Sequence, residues 1–91
     1  MKDAIGVEVT QSALVLVQAR ERIGVAGRAE RQAEESRRVT VDRFKQGLAL
    51  TTDVLDAESA LLQARTGRVQ ALVDFEVAKA RLQKALGKEE A

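Results

Sequence analysis

The sequence predicts an all-α fold, two long antiparallel helices forming a coiled-coil hairpin. Small residues recur at every seventh position on both sides of Gly47: Ser12, Ala19, Ala26, Ala33 and Thr40 before it, and Ala57, Ala64, Ala71, Ala78 and Ala85 after it. Between them lie Val9, Leu16, Ile23, Glu30, Arg37 and Phe44 on the first half, and Val54, Leu61, Arg68, Phe75 and Leu82 on the second. This heptad beat puts both sets on one stripe of each helix, and its small members let two backbones approach closely. A chain reversal near residue 49 then makes residues whose numbers sum to about 97 or 98 face each other. Ala26 meets Ala71, Ile23 meets Phe75, Leu16 meets Leu82, and the odd charge Glu30 meets the odd charge Arg68. A register nearer 101, with large residues opposite small ones, packs as well.

The first helix is expected over about residues 4–46, ended by Gly47, which enters the left-handed conformation at little steric cost. A turn over about 47–51 follows. The second helix is expected over about residues 52–86, starting at Thr51 or Thr52, with Gly87 as its terminator. With Thr51 as N-cap, its hydroxyl accepts an orphan amide, Asp53 sits at the positive end of the helix dipole, and Leu50 packs on Leu55 as a hydrophobic staple. Gly24, Gly27 and Gly67 fall inside the helices, each costing roughly 1 kcal/mol against alanine. Local irregularity is the simpler reading of these glycines, and close backbone approach or a bend is the other.

The second helix carries another apolar stripe, about 100° round from the first: Leu55, Leu62, Val69, Leu72 and Leu86, with Glu76 and Lys79 placed to pair in its lower part. Val25, Ala29, Ser36 and Val39 lie off the main seam of the first helix. A helix with two seams is built to touch two neighbours, so lateral assembly into a bundle or a barrel wall is expected.

Composition narrows the function classes. Two helices of about 40 residues, each about 60 Å long, enclose no globular core. The 91 residues carry 15 basic and 14 acidic side chains, a formal charge of +1, which gives no electrostatic reason to expect nucleic acid or an anionic membrane as partner. The absence of cysteine removes disulfides and thiolate chemistry, and the absence of histidine removes the usual general base and commonest metal ligand. No apolar run reaches the roughly 18 residues of a membrane-spanning helix, and the N-terminus does not read as a signal peptide.

Asp53 and Asp56 are the only paired carboxylates at a plausible site. Acids at a helix N-terminus stabilise it by about 0.3–1 kcal/mol without any further role, and a two-helix hairpin offers no catalytic pocket. No catalytic residue, cofactor or metal is therefore assigned, and an enzyme is not expected. Leu48 and Ala49 make an apolar turn, which suggests a contact surface.

The run Arg43-Phe44-Lys45-Gln46-Gly47-Leu48-Ala49-Leu50-Thr51-Thr52-Asp53-Val54-Leu55-Asp56-Ala57 resembles the tip of the second helical hairpin in TolC-type outer-membrane efflux channels. Leu61-Leu62-Gln63-Ala64-Arg65, Ala71-Leu72-Val73-Asp74-Phe75 and Leu82-Gln83-Lys84-Ala85-Leu86-Gly87 are similar to that family's next helix down to its end, and Ala4-Ile5-Gly6-Val7-Glu8-Val9 to the start of the preceding one. The resemblance covers nearly the whole chain. It implies one hairpin of a periplasmic α-barrel in a trimeric outer-membrane parent, whose tip meets a periplasmic adaptor protein linked to an inner-membrane pump. By the same resemblance Gln46, Gly47, Leu48, Ala49 and Leu50 form the partner-contacting tip, and Asp53 and Asp56 match an acidic ring at the pore entrance. Ala49 stands where the family's tips often carry arginine, and Phe44 where some carry a tyrosine.

Without strand-patterned segments or a second hairpin, the chain is expected to be a soluble hairpin excised from a larger protein. On its own it is expected to self-associate as a helical bundle. Two other readings of the pattern are the hairpin of a periplasmic adaptor, whose tip Leu48 and Thr51 imitate in part, and a free-standing coiled-coil scaffold.

Overall fold

A computed structural model describes the backbone of residues 2–90 and the side chains of residues 6–87. Helix α1 spans Lys2–Lys45 and helix α2 spans Thr51–Glu90, joined by one tight turn. This is the all-α helical hairpin expected from the heptad beat. Every expected seam residue from Val9 to Ala85 is buried or half-buried except Phe44 and Arg68. Phe44 is 44 % exposed because it lies in the last turn of α1, where the seam runs out.

The chain packs as two compact units. One unit joins α1 up to Gly24 with α2 from Gln70 onward. Its core consists of four alanines, Ala19, Ala71, Ala78 and Ala85. A buried alanine removes little apolar area from water, so this unit depends on closely approached backbones and the dispersion contacts they make. Leu16, Ile23, Phe75 and Leu82 flank the alanines, half-buried.

The second unit, Val25–Val69, contains the turn. Leu61, 2 % exposed, is its one buried side chain. Thr40 sits on its seam with its hydroxyl satisfied, donating to the carbonyl of Ser36 at 2.9 Å. Three ion pairs cross between the helices in this unit: Arg68 with Glu30, Arg65 with Glu34, and Arg37 with Glu58. Their residue numbers sum to 98, 99 and 95, which centre on the expected register and not on 101. Glu30 is the most covered member and Arg68 reaches it from an exposed position. The pairs are largely solvated and contribute about 0–1 kcal/mol each; their main effect is to fix alignment.

On the outer face of α1, Arg38 bridges Glu35 and Asp42. The hydrogen bond from Arg38, and then its charge, hold the Glu35 carboxyl below the ordinary glutamate range. A lowered carboxylate stabilises the fold above its unfolded value and loses that effect as pH falls through the folded one. Exposure of both side chains to solvent keeps the contribution small.

The expected terminator at Gly87 is revised, and the simpler reading of two interior glycines holds. α2 continues through Gly87 to Glu90 and does not stop there. A glycine inside a helix costs only about 1 kcal/mol, which is not enough to end one that neighbouring contacts support. A Cβ added at Gly67 would meet no atom within 4 Å, and one at Gly27 would meet only the mobile end of Arg31 at 3.7 Å, so neither marks a close backbone approach. Gly67→Ala is therefore expected to stabilise the hairpin by about 1 kcal/mol, read as a raised urea midpoint with unchanged slope.

The second stripe on α2 is uncovered. Leu55, Leu62, Val69, Leu72 and Leu86 are all exposed, as are Val25, Ala29 and Ser36 on α1, while Val39 is half-buried. Among the described residues Glu76 and Lys79 form no ion pair with each other or with any other group. Among the described residues no helix is long and apolar enough to cross a membrane.

Candidate docking tip

The turn is built by a double closure at the end of α1. The Gly47 amide donates to the Phe44 carbonyl at 3.0 Å and the Leu48 amide to the Arg43 carbonyl at 2.8 Å, the paired bonds of a Schellman motif. Gly47 takes φ 77°, the left-handed conformation that the motif requires. The Gln46 amide is shared between the carbonyls of Asp42 and Arg43. Gly47→Ala meets no steric neighbour, so only backbone strain opposes it. It is expected to cost about 1–2 kcal/mol, measured by urea unfolding followed at 222 nm.

Leu50, and not Thr51, is the N-cap of α2. Its carbonyl accepts from the Val54 amide, and its own amide donates to Asp53 Oδ2 at 2.9 Å. Asp53 thus performs the return half of a capping box from the third helical position, while Thr51 is already helical and its hydroxyl caps nothing. The expected staple also fails to close, because Leu50 is 70 % exposed and Leu55 remains exposed as well.

The tip residues separate into two kinds. Gln46 and Gly47 make the closure, whereas Leu48, 72 % exposed, and Leu50 project apolar side chains into solvent with Ala49 half-buried between them. Uncovered leucines at a hydrogen-bonded turn form a rigid apolar knob, since the backbone beneath them is fixed.

Beside the knob lies an open groove of about 440 Å³. Leu48 and Ala49 form one end; Asp53 and Asp56 line it from α2, and Thr40 and Arg43 from α1. Both sequence-selected carboxylates therefore share one surface with the turn. Asp53 is committed to the Leu50 amide, whereas among the described residues the Asp56 carboxylate and the Arg43 guanidinium take part in no hydrogen bond or ion pair. The groove presents two carboxylates against one guanidinium, a net negative surface open to a partner or to ions. No group of three or more carboxylates that could hold a metal occurs among the described residues.

Of the other residues lining the groove, the sequence reading placed Thr40 and Ala57 on the seam, Ser36 off it and Arg43 in the tip run without giving any of them a site role, and did not name Ala60. A signal was present in the register, because Thr40 and Ala57 face each other as consecutive small seam residues next to the turn, leaving space where larger ones would fill it. Comparison with protein-family models, curated proteins and solved structures returns no match.

Proposed function

We propose that this chain is a structural and interaction hairpin of a TolC-type outer-membrane efflux channel. In this reading its flanks form part of a periplasmic tunnel wall, the tip from Gln46 to Leu50 meets a periplasmic adaptor coupled to an inner-membrane pump, and Asp53 with Asp56 contributes to an acidic ring in the trimeric parent. The observation that carries the reading is the tip. The residues that resemble the family's turn are those that make a rigid apolar knob, and the two acids of the resemblance open onto one groove beside it. The uncovered stripe of α2 adds support, since a wall-forming hairpin needs a lateral face for its neighbour.

The test is the reading frame that encodes the segment. An upstream signal peptide, a second related hairpin and strand-patterned stretches are the expected result. A longer frame with a single hairpin favours a periplasmic adaptor. Start and stop codons at Met1 and Ala91 would defeat the channel reading in favour of a free-standing scaffold.

A further inference from the structure

The exposed apolar surface of α2 is not uniform. Between Leu72 and Ala80 it forms a nearly all-apolar shallow surface of Leu72, Val73, Val77 and Ala80, broken by the carboxylate of Glu76. Among the described residues Glu76 has no ion-pair or hydrogen-bond partner, and neither does Lys79, a single helical turn away. A carboxylate and an ammonium so close on one helix, both exposed and neither paired among the described residues, leave a charge pattern in which each charge meets its opposite when the helix is reversed.

We propose that two copies of the 91-residue chain pair antiparallel through this face of α2, about a two-fold axis near Val77. Reversal about the point between Val77 and Ala78, where facing residue numbers sum to 155, sets Leu72 against Gln83 of the second copy, and leaves Val77 within about one residue's rise of its own copy and Val73 within about two of Ala80. It also sets Glu76 against Lys79 twice, once on each side of the axis. An isologous interface needs this self-complementarity, in which each charged residue finds its opposite on the second copy. At about 100° per residue, Leu72, Glu76, Lys79 and Gln83 flank one side of the apolar strip and Val73, Val77 and Ala80 form its centre and other side, so the pairs meet without crossing the interface. The exposed apolar residues of α1 in the same unit give no match between free charges: reversal about Val15 sets Glu8 against Arg22, but Glu8 is already engaged within the chain, and reversal about Leu16 sets Glu21 against the uncharged Gln11.

This pairing does not depend on the channel reading, and the chain's lack of cysteine makes it directly testable. Single Val77→Cys, Lys84→Cys and Leu14→Cys variants of the whole chain are oxidised under dilute conditions, and cross-linked dimer is quantified. Cross-linking greatest at Val77, several-fold lower at Lys84 and lowest at Leu14 is expected. Sedimentation equilibrium of Glu76→Lys and Lys79→Glu should each show dimerisation weakened on the order of tenfold, with the double exchange restoring it. A species that stays monomeric at all accessible concentrations overturns the proposal. A dimer that cross-links best at Leu14, or one indifferent to both charge reversals, also overturns it.

Discussion

Replacing Leu61 with alanine is expected to cost about 2–5 kcal/mol, whereas the same change at its neighbour Leu62 leaves the stability of the chain within about 0.5 kcal/mol. Both residues are leucine, adjacent on one helix and similar in helix propensity. They differ in burial: Leu61 is 2 % exposed and Leu62 is 66 % exposed. Leu61 is also the single buried side chain of the unit holding the turn, so no second large residue can close over the cavity it would leave. The three interhelical ion pairs do not offset the loss, because they are solvated. Urea unfolding of the two variants, followed by circular dichroism, decides the matter. Equal effects at the two positions would remove Leu61 as the anchor of that unit.

Reversing the charge of Asp53 and Asp56 to lysine is expected to invert ion preference in a full-length channel carrying this hairpin. If the two acids ring a constriction, each subunit exchanges two negative charges for two positive ones, and low-dielectric walls amplify the change. Reversal potentials across a planar bilayer under a salt gradient should move from the cation-selective to the anion-selective side. The Asp53 substitution also removes the acceptor for the Leu50 amide, so Asp53→Asn is the companion variant: it keeps a side-chain oxygen for the amide while deleting the charge. Selectivity that is unchanged in all variants would dismiss the pore-ring role and leave Asp53 as a capping residue alone.

Much of the hairpin was legible in the sequence because its physics is periodic. The alternation of Ala71, Ala78 and Ala85 with Phe75 and Leu82 specifies a seam, and the Glu30–Arg68 match specifies its alignment. Both depend only on helix geometry. The ends were harder, because they depend on competition between small terms. Thr51 has the side chain of an N-cap, but the Schellman closure at Gly47 leads the chain so that Asp53 reaches the Leu50 amide first. Gly87 has the residue type of a terminator, but nothing beyond it forces the chain to turn. The pairs Arg37–Glu58 and Arg65–Glu34 were missed because their members stand half a turn off perfect opposition, a distance that long side chains cover and a register diagram does not. The groove beside the turn was hidden for a related reason. It arises from what small side chains leave empty, and sequence patterns register what side chains fill.

The alanine core of the unit containing Ala19 and Ala78 has a consequence for how the chain can vary. At such positions the forbidden quantity is volume and not polarity: valine or leucine at Ala71, Ala78 or Ala85 must push the helices apart, at about 1–3 kcal/mol each, while serine fits with its hydroxyl turned back to its own helix. A saturation library scored for folding would thus carry a seven-residue rhythm of intolerance to bulk along α2, set against broad acceptance on the outer surface. That rhythm would be the hairpin's signature in any descendant that has lost every recognisable word of its sequence.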